Sequence, residues 1–140
     1  MASLTLAQAQ AIVDVALAKA REIGSPSSVA VLDAGRELLA FARMDDALLA
    51  SPAIAQAKAY TARSLNSATK DVDALAQPGA PLFGLQTAHL AVGRTLVTFG
   101  GGVPVIVDGE VVGAVGVAGG SPDQDHEIAS SGAAAVVTDR

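Results

Sequence analysis

Residues Phe99-Gly100-Gly101-Gly102-Val103-Pro104-Val105-Ile106-Val107-Asp108-Gly109-Glu110-Val111-Val112-Gly113-Ala114-Val115-Gly116-Val117-Ala118-Gly119-Gly120 decide the fold. They read as a glycine loop, a strand, a tight turn, a second strand and a second glycine loop. Val103 to Val107 is apolar and β-branched, and Val111 to Val117 repeats that character. The intervening Asp108-Gly109 pair is a two-residue hairpin signal, because a type I′ turn needs positive φ at both central positions. Gly100, Gly101 and Gly102 leave backbone amides unshielded, so a ligand or another chain segment can come close.

Upstream, Thr5-Leu6-Ala7-Gln8 matches a capping box and opens a helix that runs to Ile23, with Gly24 placed as its C-terminal cap. Val29 to Leu32 and Glu37 to Arg43 read as two strands around the turn Asp33-Ala34-Gly35-Arg36. Ser51-Pro52 opens a second long helix, the Ser as N-cap and the Pro at the first helical position. Asp71 to Ala76 reads as a short helix, Leu85 to Leu90 as one more helical turn, and Leu96 to Phe99 as the first strand of the second group. Ser121-Pro122-Asp123-Gln124 opens a last helix through about Val137. Strands joined by tight turns are antiparallel. The expectation is an α/β (α+β) fold: one domain over residues 1–140, with five antiparallel strands flanked by helices.

Of the 140 residues, 51% are hydrophobic but only 3% aromatic, so the core must be built from Ala, Val, Leu and Ile. A mean hydropathy of +0.44 implies more apolar surface than one small domain hides, which points to a homo-oligomer. The net charge of −5 and the scattered basic residues argue against nucleic acid. Absence of cysteine excludes disulfides and thiolate chemistry. No apolar run reaches the roughly 18 residues of a membrane span. The expected setting is cytoplasmic, away from the membrane.

Val31 to Gly35, Ala42 to Ala47, Ala55 to Ala62, Gly100 to Pro104 and Asp108 to Gly120, followed by Asp125, together resemble the GlcG/HbpS-like family. This group is also labelled a haem-degrading domain and is found fused to corrinoid adenosyltransferases. The resemblance spans nearly the whole chain in the same order. It implies a profilin-like sandwich, an octamer, and haem or a corrinoid as candidate ligand. A haem-binding member of the family carries a His in its N-terminal helix; the corresponding helix here has none. If haem binds, Met44, Tyr60 and His89 are the residues to test as iron ligands.

Lys58 and Thr61, three apart, share a helical face. A lysine beside a glycine loop can bind a carboxylate or act as a base; the plain alternative is a solvated amine whose stem covers apolar surface. Arg43-Met44-Asp45 ends a strand before a helix, where the arginine can hold an anion and the methionine can pack on a flat cofactor. Here the plain alternative is a surface ion pair with the methionine as filler. Backbone amides of Gly100 to Gly102 can form an anion nest. Asp123, Asp125, His126 and Glu127 crowd a helix start, where acids suit the helix dipole, so no metal site is assigned. The leading expectation is a small-molecule-binding protein. Its pocket would lie at a subunit interface between Arg43, Met44 and Asp45, the Lys58/Thr61 face, and Gly100, Gly101, Gly102 and Pro104. The alternative is an enzyme on a small organic acid or aromatic catabolite, with Lys58 and Asp45 as acid–base or anchor groups.

Overall fold

The chain, seen in a computed structural model that describes residues 2–137, begins with the expected capping box. The Thr5 hydroxyl accepts from the Gln8 amide and the Gln8 side chain accepts from the Thr5 amide, starting α1 (Leu6–Ile23). Gly24 closes it at φ +79. There follow β1 (Ser28–Asp33), β2 (Leu38–Arg43), α2 (Ser51–Leu65), the short α3 (Thr69–Val72), three 3₁₀ turns, β3 (Gly102–Val107), β4 (Glu110–Ala118) and α4 (Pro122–Val137). Ser121 and Gln124 cap α4 reciprocally, as Thr5 and Gln8 cap α1. Asp108 and Gly109 both take positive φ, at +54 and +79, and join β3 to β4. That is the turn the sequence specifies.

The sheet has four antiparallel strands in the order β2-β1-β4-β3. The expected fifth strand is absent. Leu96 and Val97 are buried, but the amide of Val97 donates to the Thr61 hydroxyl at 2.8 Å instead of to a neighbouring strand. An apolar run without a ladder partner is a packed loop. Ser51 also departs from expectation: it lies inside α2, and its hydroxyl is buried against the Ser28 hydroxyl at 2.8 Å.

Alternation along the strands assigns each face. Val29, Val31, Val103, Val105, Val115 and Val117 point to one side, where they meet Ile12, Ala16, Ile128 and Val136 of α1 and α4. Ala30, Leu32, Ala114 and Ala118 point to the other, where Ala55, Ala59 and Ala62 of α2 cover them. The α2 face is lined by small residues because the helix lies almost on the strand: a Cβ at Gly116 would run into the Ala55 carbonyl and stand 2.6 Å from the Ala59 amide nitrogen. This close seating explains why the chain needs so few aromatic residues. Among the described residues no helix is long and apolar enough to cross a membrane.

Candidate functional site

Helix α2 carries Lys58 beneath the sheet, and the amine is engaged on every side. Its Nζ donates to the Val117 carbonyl and to Asp125 Oδ2, each at 2.9 Å, while Asp125 Oδ1 accepts from the Gly120 amide at 2.9 Å. The Phe99 ring centroid lies 5.0 Å from Nζ. Lys58 is 1% exposed and Asp125 2%. Burial pulls the Lys58 amine below its ordinary value, and the Asp125 carboxylate partly offsets that.

The glycine loop fits round this lysine. A Cβ at Gly101 would stand 2.5 Å from Nζ and 2.6 Å from the Val117 carbonyl, and one at Gly102 would strike the Lys58 carbonyl. Gly100 has the Pro122 carbonyl 2.8 Å from the same construction. The segment that approaches these glycines is the chain itself. The Gly102 amide already donates to the Thr69 hydroxyl at 2.9 Å.

The other expected site residues are spread over the molecule. Thr61 is fully buried, its hydroxyl donating to the Ala57 carbonyl at 2.8 Å and accepting from Val97. Pro104 pairs with Ala114 on the edge strand β3, a position where a missing amide donor is tolerated. Arg43, Met44 and Asp45 line a cleft of about 340 Å³ with Leu17 and Arg21. There the Arg43 guanidinium donates to the Ala47 carbonyl at 3.1 Å, and Met44 Sδ accepts from the Ser27 amide at 3.3 Å. Within one chain Lys58 and the glycine loop come together, whereas Arg43, Met44 and Asp45 line a cleft to which neither contributes. The carboxylate partner of Lys58 is Asp125, not Asp45.

A different cluster surrounds Tyr60, two residues beyond Lys58. The Tyr60 hydroxyl is 2.8 Å from His89 Nδ1 and accepts from Arg36 Nη1 at 3.2 Å. The guanidinium carbons of Arg36 and Arg94 lie 5.0 and 4.5 Å from the Tyr60 ring centroid, and the His89 ring meets it edge-on at 5.6 Å. Tyr60 and Arg94 form the common wall of two clefts. The larger, about 420 Å³, is completed by Ala53, Ile54, Gln56, Ala57 and Val97 among others; the smaller, about 250 Å³, includes Arg36 and Val92. The larger volume is typical of small-molecule sites, which run roughly 300–1,000 Å³.

The partners of Arg36, Arg94 and Asp125 escape a reading of the sequence because they come from other elements. Arg36 is seen there only in a turn after Gly35, and Asp125 only as one acid of a helix start and the end of the family pattern. Among the described residues no group of three or more His, Asp or Glu side chains is placed to hold a metal ion.

The architecture defines the class: helices on both faces of a four-stranded antiparallel sheet, with a charged cleft beside the central helix. The chain belongs to the family described as haem degrading protein HbpS-like, which matches residues 4–134. It is 44% identical over 131 residues to an uncharacterized 15.0 kDa protein of the dhaT-dhaS intergenic region of Citrobacter freundii, covering 94% of this chain and 90% of that one. The crystal structure of Klebsiella pneumoniae protein ORFY superposes with a TM-score of 0.92 at 36% identity, covering 99% of this chain and 93% of the other. A PduOC–haem complex superposes with a TM-score of 0.86 at 35% identity, covering 95% and 94%.

Proposed function

We propose that this chain binds a tetrapyrrole cofactor of the haem or corrinoid class in the cleft walled by Tyr60 and Arg94. One observation carries the reading: two adjoining clefts share Tyr60 and Arg94 as a wall, the larger lined by apolar side chains of α2 and the smaller by Arg36, with the His89 imidazole against the Tyr60 hydroxyl. The likeness to a PduOC–haem complex supports the ligand class.

The donor set suits haem. His89 Nδ1 faces the Tyr60 hydroxyl, while Nε2 has no hydrogen-bond partner among the described residues. An outer partner on one imidazole nitrogen fixes the ring and leaves the other as metal ligand. His89 would hold the iron, with Tyr60 orienting it. When bound, haem supplies an iron centre for redox or oxygen chemistry. His126 suits the role less well, its Nδ1 being buried and unpartnered and its Nε2 3.4 Å from the Ser130 hydroxyl. Met44 lines a separate cleft.

Titration with hemin is expected to raise a Soret band that His89→Ala shifts and weakens, while Met44→Ala leaves it unchanged. A difference spectrum that stays flat through micromolar hemin would end the haem reading.

Catalysis on a small organic acid by Lys58 and Asp45 has less support, because the Lys58 amine is already bonded to Asp125 and Val117. Assembly as a homo-oligomer, an octamer by family resemblance, belongs to the proposal. Leu90 and Val92 are 57% and 70% exposed, and Val92 lines the smaller cleft, so a second copy closing over this rim would place the ligand at a subunit interface. Light scattering on the eluted protein measures the assembly directly.

A further inference from the structure

We infer that Arg36 and Arg94, which both line the smaller cleft beside Tyr60, make it a reader of two carboxylates carried on one apolar body whose remainder lies in the adjoining larger cleft. The inference deepens the reading above by naming what the ligand must display, and it does not depend on a metal.

Glu37 lines the same cleft, but neither guanidinium has a carboxylate within ion-pair distance among the described residues, although the chain carries 14 acidic residues against nine basic ones. Arg36 donates only to neutral oxygens, the Tyr60 hydroxyl at 3.2 Å and the Ser64 hydroxyl at 3.3 Å. Arg94 makes no side-chain hydrogen bond among the described residues; its guanidinium lies 4.5 Å from the Tyr60 ring centroid, and its backbone amide is tied to the His89 carbonyl at 3.1 Å. Two like charges beside one ring repel each other, and a dianion between them would turn that repulsion into attraction. Guanidinium is the group best matched to carboxylate, through paired N–H donors.

Arg36 takes φ +70 at the close of the β1–β2 turn, where its amide donates to the Asp33 carbonyl at 3.0 Å, and from there its guanidinium reaches the Tyr60 hydroxyl. Among the described residues no arginine is ion-paired, whereas two of the three lysines are, Lys19 with Glu22 and Glu127 and Lys58 with Asp125; what sets Arg36 and Arg94 apart is that both lie against one ring in one cleft.

The propionates of a porphyrin and a free small dicarboxylate share this chemistry, and three probes separate them: iron-free protoporphyrin IX, its dimethyl ester, and phthalate. Binding is followed by fluorescence for the porphyrins and by calorimetry for phthalate. The diacid is expected to bind at least about tenfold more tightly than the diester, with an affinity that falls as salt rises. Arg94→Gln and Arg36→Gln are each expected to weaken the diacid about tenfold while leaving the diester unchanged. Arg94→Gln is the safer variant, since its side chain supports no hydrogen bond of the fold. Equal binding of diacid and diester by the natural chain and both variants would overturn the inference, while a hemin Soret band in the same protein would keep the haem reading. Arginine-dependent binding of phthalate without either porphyrin would uphold the inference and remove the tetrapyrrole. Failure of all three probes would overturn the inference, and the hemin titration alone decides the haem reading.

Discussion

At Lys58 an ammonium meets a carboxylate and a carbonyl and is closed off from water; around Tyr60, on the same helix, two guanidiniums meet only hydroxyls and a ring. Both neighbourhoods concentrate positive charge, but only the first supplies its own counter-charge. A buried cation without a partner is very costly, so the Lys58 corner must be complete within the fold. Guanidiniums beside an open cleft remain hydrated, and their missing partner can come from outside. A lysine next to a glycine-rich loop suggests chemistry; here its amine is bonded within the fold to Asp125 and the Val117 carbonyl. The residues that suggest a ligand are those the fold leaves unpaired.

Breaking the Lys58–Asp125 pair from one side gives the largest expected effect. Lys58→Ala or Asp125→Ala should each cost about 3–5 kcal/mol, because the survivor is left buried and uncompensated. Lys58→Met with Asp125→Asn removes both charges and keeps an acceptor for the Gly120 amide, so it should cost clearly less than the two single losses added together. Urea melts of the natural chain, Lys58→Met, Asp125→Asn and the double variant measure the coupling. If Lys58→Ala melts like the natural chain, the structural account of this corner is wrong.

Gly101→Ala comes next. Its φ of +131 disfavours any side chain, and the new methyl would press on the Lys58 amine and the Val117 carbonyl, an expected loss of about 2–3 kcal/mol.

Smaller still is a pH effect confined to the paired region. Burial holds the folded Lys58 amine below its ordinary 10.5. Between the folded and ordinary values the unfolded chain keeps a proton that the folded chain has released. Unfolding therefore takes up a proton, and stability rises with pH across that window. Relative to Lys58→Met, the natural chain should gain stability as pH climbs from neutral towards 10.5, which paired melts at each pH detect.

At the bottom of the scale, Arg94→Gln should change stability by no more than about 0.5 kcal/mol while weakening diacid binding. A large stability loss there would make the Tyr60 cluster a second internal brace and erase the contrast between the two regions.

The fold was legible where local chemistry was decisive. Asp108-Gly109 defines its hairpin because few other residues tolerate both positive φ values, and Thr5/Gln8 and Ser121/Gln124 fix their helix starts by satisfying exposed amides. The run Leu96–Phe99 misleads because apolar character reports burial without naming a partner, and its partner is the Thr61 hydroxyl. The same limit governs the sites. Lys58 and the glycine loop are recognisable as a unit, but Asp125 is one of several acids at a helix start, and nothing local marks it as the counter-charge. Tyr60 and His89 stand out singly as scarce residue types, whereas Arg36 and Arg94 acquire meaning only when turn and loop converge on one ring.

Strand β1 lies between β2, its neighbour in sequence, and β4, which is made late. On the ribosome, the emerging chain has a lone hairpin, marginal in water, until residues 110–118 arrive to make the sheet viable. The counter-ion for Lys58 arrives later still, with α4. Folding of this domain therefore waits for its last strand and helix and is close to all-or-none, at the moderate speed of topologies dominated by distant contacts.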